Sequence, residues 1–146
     1  MCRAFKRKET TPDVLKMSRT EFLDILSKNY QILPLVDRPM DTTLTLVSKA
    51  ELDRIVPSLV YPADWYVEEI WDCEDYGLQA QLDAGRNFKV SVRMATGQTN
   101  LDYHGFALTL DRELNLWLLE PNAGFPFAGK WFKQGENSYR ADRVFV

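Results

Sequence analysis

Two apolar runs joined by a short polar turn constrain the fold more than any other part of the sequence. Residues 104–110 and 114–120 consist largely of Leu, Phe and Ala, and residues 111–113 (Asp-Arg-Glu) lie between them. Each run has the length and composition of a strand, and a three-residue turn commonly joins antiparallel neighbours. The sequence therefore predicts a β-hairpin here.

The register of this hairpin brings two polar residues together. If Leu110 pairs with Leu114, then His104 lies directly opposite Glu120 and on the same face as the leucines. Opposed Cβ atoms lie about 4.5–5.5 Å apart, so the carboxylate could orient the imidazole. A polar pair at the end of an apolar stripe favours a functional role, and a structural ion pair is the alternative.

A cysteine at a predicted helix start completes the candidate site. Asp72 is a suitable N-cap for a helix from Cys73 to about Ala84. At the first helical position the free N–H groups and the helix dipole favour a thiolate. Glu74 and Asp75 oppose that effect, so His104 would have to supply most of the activation. The order Cys73, His104, Glu120 is that of a nucleophile, a base and an orienting acid. A small buried hydrophobic residue is the alternative interpretation of this cysteine.

Capping patterns and alternation predict the remaining elements. Ser18 and Ser48 each lie three residues before a glutamate, which is the capping-box pattern, and the helices they begin should end near Tyr30 and Val56. Alternating patterns predict strands at residues 42–47, 88–94 and 139–146, with a loop at 96–100. Helices followed by an antiparallel sheet predict an α+β fold.

The length of 146 residues predicts a single domain with a substantial core. Residues 1–16 are expected to form an end that can be mobile, residues 17–62 an N-terminal helical and extended part, and residues 63–146 the core. The content of 45% hydrophobic and 27% charged residues is that of an ordinary soluble globular protein.

Charge and cysteine content exclude several classes. A net charge of −3 argues against nucleic-acid binding, although basic residues at positions 3–8 precede the first helix. No apolar run approaches the length of a membrane span, and no signal peptide is expected. Because Cys2 lies at the chain end, a disulfide framework is not expected, and the predicted location is the reducing cytoplasm.

Three short motifs resemble those of a known family. They are Asp72-Cys73-Glu74-Asp75-Tyr76, His104-Gly105-Phe106-Ala107 and Leu119-Glu120-Pro121. In this order they resemble the papain-like and transglutaminase-like cysteine hydrolase superfamily, most closely the C-terminal protease-like domain of Marasmius agglutinin and its bacterial and phage relatives. The resemblance covers residues 72–125. It implies a papain-like core, in which the helix carrying the cysteine packs on an antiparallel sheet carrying the histidine and the glutamate.

The resemblance also implies roles for individual residues. Cys73 would be the nucleophile, His104 the general base and then acid, and Glu120 the orienting group. The backbone N–H of Cys73 would contribute to an oxyanion hole. Papain-like enzymes add a glutamine before the cysteine, but Val67 stands at the corresponding position.

Calcium is the one cofactor that the resemblance suggests. Its ligands would be Asp72, Glu74 and Asp75, and a solvated acidic helix start is the alternative. No other cofactor is expected, because the sequence has neither a phosphate-binding glycine loop nor a dinucleotide fingerprint. A single histidine with one suitable cysteine does not make an ordinary zinc site.

Two functions follow from these patterns. The first is a cysteine-dependent amide hydrolase or acyltransferase that acts on a peptide or protein substrate. The alternative is a non-enzymatic phage or mobile-element protein on a degenerate papain-like fold that captures a host protein, since four tryptophans supply aromatic surface suited to interfaces. Alkylation of Cys73 at neutral pH distinguishes the two, because only an activated thiol reacts readily.

Overall fold

The structure is a computed structural model that describes residues 13–37 and 41–146. The predictions on Cys2 and on the basic residues at positions 3–8 lie outside the described residues. The strands are β1 (Leu15–Ser18), β2 (Leu33–Pro34), β3 (Thr43–Leu46), β4 (Arg93–Gln98), β5 (Tyr103–Leu110), β6 (Leu116–Leu119) and β7 (Arg140–Val144). The α-helices are α1 (Arg19–Tyr30), α2 (Lys49–Ile55) and α3 (Cys73–Asp83).

The strands form two sheets. The larger has the order β2-β7-β4-β5-β6 and is antiparallel except for the short β2–β7 pair. The smaller pairs β1 with β3. The α+β fold class is therefore confirmed.

Alternation along β5 divides the core between the two faces of the larger sheet. Phe106, Leu108 and Leu110 belong to one apolar cluster, which includes residues of α1 and β3. Ala107 belongs to a second cluster, which includes residues of α2 and α3. The sheet thus separates the N-terminal helix from the helix that carries Cys73.

Capping residues set the helix starts as predicted. Ser18 accepts from the Glu21 backbone in a reciprocal capping box, and the Ser48 side chain accepts from the backbone of Glu51. Asp72 caps α3, and Cys73 is its first residue. These side chains satisfy backbone donors that have no partner inside the helix.

Two glycines let α3 lie close to β5. A Cβ atom at Gly77 would come within 2.6 Å of the Phe106 carbonyl oxygen, and one at Gly105 within 2.9 Å of the Glu74 backbone. Neither position has room for a side chain. This approach places the start of α3 against the start of β5, where His104 lies.

The predicted register of the hairpin is wrong by two residues. Leu110 pairs with Leu116 rather than with Leu114, so the connection is five residues long instead of three. Asp111 is the cause, because its buried carboxylate accepts from the backbone N–H groups of Glu113 and Asn115 at 2.9 Å. A shift of two residues leaves every side chain on its predicted face.

The strand predicted at residues 88–94 is also displaced. β4 begins at Arg93 and continues through the first half of the predicted loop at 96–100. The preceding segment is held by the smaller sheet instead, because Ser91 and Thr45 exchange hydrogen bonds of 2.8 and 2.9 Å. At the N-terminal end, Leu15 and Lys16 belong to β1, where the sequence predicts a mobile end.

None of the described helices is long and apolar enough to cross a membrane.

Candidate functional site

The structure brings His104 and Glu120 into direct contact. His104 Nε2 lies 2.7 Å from Glu120 Oε2. In the observed register the pairing of β5 with β6 ends at Ala107 and Leu119, and Glu120 is the next residue after Leu119. His104 therefore contacts Glu120 diagonally along the sheet face. The predicted partnership is formed, although by a different pairing.

Glu120 is a buried carboxylate with a complete set of partners. Its exposed fraction is 1%, and its oxygens accept from the Tyr139 hydroxyl at 2.6 Å and from the Asn122 backbone N–H at 2.9 Å. Burial and the carboxylate raise the pKa of Tyr139, so this hydroxyl stays protonated and donates. Tyr139 is not among the predicted site residues, and its only signal in the sequence is an aromatic residue at the start of the predicted last strand.

Cys73 lies beside these residues and makes different hydrogen bonds. Its Sγ atom donates to Glu74 Oε2 at 3.0 Å and accepts from the Gly105 backbone N–H at 3.2 Å. Neither bond involves His104, the neighbour of Gly105 in the chain. The three predicted residues therefore lie together, but the thiol is engaged by a carboxylate rather than by the imidazole.

The environment of Cys73 stabilises the neutral thiol. Burial and the hydrogen bond to Glu74 raise its pKa to about 12, and the Gly105 N–H offsets only part of that rise. A cysteine at a helix start ordinarily has a lowered pKa. Here burial first, and the bond to Glu74 second, outweigh the helix dipole, so the helix start does not by itself favour a thiolate.

The acidic residues around Cys73 interact mainly with one another. A hydrogen bond with Glu74 raises the pKa of Asp72 to about 6, and the same bond lowers the pKa of Glu74. The Asp75 carboxylate accepts from the Asp72 backbone N–H at 3.1 Å. Ligand atoms of Asp72, Cys73 and Glu74 lie within 4.8 Å of one another.

These ligands fit calcium poorly. Calcium takes six to eight oxygen ligands, whereas this group offers two carboxylates and a sulfur atom. The carboxylate of Asp75 is already used to cap α3. Calcium binding at this helix start stays a prediction.

A pocket of about 220 Å³ opens beside His104. The His104 ring lies 5.5 Å from the Phe125 ring and 5.7 Å from the Tyr139 ring, measured between centroids. The remaining lining residues are Thr99, Asn100, Leu101, Asp102, Tyr103 and Phe127. Phe125 and Phe127, which follow β6 in the chain, therefore form one wall of this pocket.

Exposed apolar side chains flank the site on both sides. Leu101, in the loop before β5, is 79% exposed, and Ile70, at the tip of a tight turn before α3, is 76% exposed. Hydrogen bonds between Val67 and Trp71 of 2.8 and 2.9 Å close that turn. The turn leads into α3 at Cys73, and the loop leads into β5 just before Gly105. Because Cys73 and Gly105 are hydrogen-bonded, the turn and the loop lie beside the same site.

Comparison with known proteins gives structural neighbours alone. No protein-family model and no curated protein matches the sequence. Among solved structures, one described as a PSL1a-E64 complex matches with a TM-score of 0.61 and 15% identity over 90% of this chain. The Polyporus squamosus lectin, bound to a human-type influenza-binding epitope, matches with a TM-score of 0.61 and 13% identity over 90% of this chain.

These neighbours contradict the family and the function predicted from the sequence. One of them is named as a lectin, which contradicts the identification as a papain-like or transglutaminase-like cysteine hydrolase and the predicted cysteine protease activity. The papain-like description of the core is not confirmed. The local geometry agrees with this correction, because the Cys73 thiol donates to the Glu74 carboxylate and makes no hydrogen bond to the imidazole among the described residues.

The likeness itself shows a shared fold. This chain spans about half the length of each neighbour, at 51% and 50%. The catalytic roles assigned to Cys73, His104 and Glu120 stay predictions.

Proposed function

We propose that this protein is a non-enzymatic binding module that holds a polypeptide partner beside Cys73 and His104. The observation that carries the proposal is the exposed apolar rim of the site. Its members are Trp65, Tyr66, Val67, Ile70, Leu101 and Tyr103, which are between 45% and 79% exposed. Several large apolar side chains exposed around one site are typical of a protein interaction surface.

The composition of the rim favours a polypeptide. Aromatic side chains anchor protein interfaces, and aliphatic tips such as Ile70 and Leu101 match apolar side chains rather than hydroxyl groups. The pocket beside His104 would take one anchoring side chain of the partner. Whether the partner is a host protein stays a prediction.

The state of Cys73 agrees with binding without covalent chemistry. A protonated thiol is a poor nucleophile, and the pKa of about 12 leaves a negligible thiolate fraction at neutral pH. His104 and Glu120 then serve to fix the pocket wall, since the buried carboxylate bonds His104 and Tyr139 at once.

The structural neighbours support a binding function in general terms. The Polyporus squamosus lectin binds a glycan epitope, and the PSL1a structure is a complex with E64. Each neighbour is about twice as long as this chain, so the likeness does not assign either ligand to the shared half.

The test is a selection of displayed random peptides on the folded protein. Selected peptides are synthesised, and their affinities are measured by calorimetry. We expect Ile70→Asp and Leu101→Asp each to weaken binding at least about tenfold, because a charge replaces apolar contact area. Leu82→Asp is the matched control, since Leu82 is 63% exposed on α3 and lies outside the rim.

Two results would overturn the proposal. One is a selection that enriches no binding peptide. The other is a set of peptides that bind the Ile70 and Leu101 variants as tightly as they bind the Leu82 variant.

Glycan binding is the second candidate, favoured by the lectin neighbour. Its test is a calorimetric titration with the trisaccharide Neu5Aca2-6Galb1-4GlcNAc, the epitope bound by that lectin. Saturable binding would establish this candidate, and the absence of heat at millimolar trisaccharide would reject it for this epitope.

A further inference from the structure

A second concavity lies on the other side of the turn that precedes α3. It is a groove of about 460 Å³ lined by Tyr61, Trp65, Trp71, Gln79 and Asp83. The Trp65 ring is stacked on Tyr61 at 5.5 Å and lies nearly perpendicular to Trp71, at 84° and 6.1 Å. Aromatic rings thus face the groove in two orientations.

A carboxylate lies among these rings. Asp83 Oδ2 accepts from the Tyr61 hydroxyl at 2.8 Å and from Gln79 Nε2 at 3.0 Å. Oδ1 accepts no hydrogen bond from any described residue. Across residues 13–37 and 41–146, Asp83 forms no ion pair with a lysine or arginine.

This combination has a definite chemical preference. The faces of aromatic rings are electronegative and attract cations, and quaternary ammonium groups are recognised by sets of such rings. A half-buried carboxylate adds a full negative charge that needs a positive partner. A hard metal ion would gain little from the rings, and an anion would be repelled.

We propose that this groove binds an organic cation, a quaternary or methylated ammonium group. The methyl groups contact the Trp65 and Trp71 rings, and Asp83 supplies the opposite charge. Tyr61 and Gln79 position the carboxylate by holding Oδ2, which leaves Oδ1 directed to the ligand. The proposal does not depend on the polypeptide-binding function. Trp65 belongs to both surfaces, but the charge that selects the cation comes from Asp83, which lies outside the rim.

The first experiment compares two ligands of the same shape. Choline carries a quaternary ammonium, and 3,3-dimethyl-1-butanol has a neutral carbon in its place. Each is titrated into the protein at constant ionic strength, while NMR follows the four tryptophan indole N–H signals. We expect choline to bind on the order of tenfold tighter than the alcohol, with shifts at Trp65 and Trp71 and none at Trp117 or Trp131.

Variants assign the binding to the groove. Asp83→Asn keeps the size of the side chain and removes its charge, and it should weaken choline binding on the order of tenfold while leaving the alcohol unaffected. Asp24→Asn is the matched control, because it removes the same charge from an exposed ion pair on α1. Trp65→Ala should weaken choline binding as well.

Three outcomes would overturn the proposal. They are equal affinity for choline and the neutral alcohol, an Asp83→Asn variant that binds choline as the Asp24→Asn variant does, and choline shifts that are absent from the Trp65 and Trp71 signals. None of these three outcomes depends on whether peptides bind the rim. Either proposal can therefore be overturned while the other stands.

Discussion

His104 Nε2 and Glu120 Oε2 lie 2.7 Å apart although the two residues are not direct cross-strand partners. The hairpin is two residues out of its predicted register, and the contact survives because a shift of two keeps both side chains on one face. Diagonal neighbours on a face remain within reach of long side chains. The contact thus requires that the register shift by an even number of residues, which keeps both side chains on one face. It does not require a turn of the predicted length.

Removal of the Glu120 carboxylate should destabilise the protein strongly. Glu120→Ala leaves the buried Tyr139 hydroxyl and the Asn122 N–H without their acceptor, so we expect a loss of about 3 kcal/mol in the free energy of unfolding. Urea denaturation measures it. Glu113→Ala is the control, since its side chain is 60% exposed. Equal stability of the two variants would contradict the structural role of Glu120.

The close contact of α3 with β5 predicts a contrast between two glycines. In Gly77→Ala the new methyl group meets the Phe106 carbonyl at 2.6 Å, and we expect a loss of about 2 kcal/mol. In Gly85→Ala no atom lies within 4 Å of the new Cβ, so stability should be unchanged or slightly higher. Thermal unfolding measures both, and tolerance of alanine at Gly77 would refute the described packing.

Asp72 should titrate well above its ordinary range. Its hydrogen bond with Glu74 raises the pKa from 3.8 to about 6, so this proton stabilises the fold fully below pH 3.8, and the contribution is lost as the pH rises through about 6. Glu74, whose pKa is lowered, opposes this trend. Carboxyl NMR measures the midpoint, which Glu74→Gln should move toward 3.8 while Glu51→Gln leaves it in place. A wild-type midpoint near the ordinary value would contradict the pairing.

Local patterns predicted the helix starts and the faces of the two hairpin strands well. Capping side chains act within three residues, so Ser18, Ser48 and Asp72 could be identified from the sequence. Parity along β5 likewise depends on adjacent residues, and the apolar stripe from Phe106 to Leu110 is buried as predicted.

Interactions between distant segments could not be predicted in this way. The five-residue connection depends on the buried Asp111 carboxylate, which also accepts from the Trp117 indole at 2.8 Å. The start of β4 depends on Ser91 bonding to Thr45 across the chain. A short sequence window contains neither partner.

The same difference between local patterns and interactions of distant segments applies to the candidate site. The sequence predicted the neighbours His104 and Glu120, which are in contact, and Cys73 accepts from the backbone of Gly105, the residue after His104. The sequence did not predict the raised pKa of the Cys73 thiol, which depends on burial and on the orientation of Glu74. Residue type and order alone do not determine either quantity.

The most direct test of the binding account is the pH dependence of Cys73 alkylation by iodoacetamide, with Cys2→Ser to remove the second thiol. If Cys73 is a protonated thiol, its alkylation rate should be low at neutral pH, should still rise without a plateau through about pH 9, and should be unchanged by His104→Ala. Glu74→Gln should raise the rate, because it removes the charge that favours the neutral thiol. A plateau that marks a thiolate well below about pH 8.5, and that disappears in His104→Ala, would contradict the account and establish an activated nucleophile.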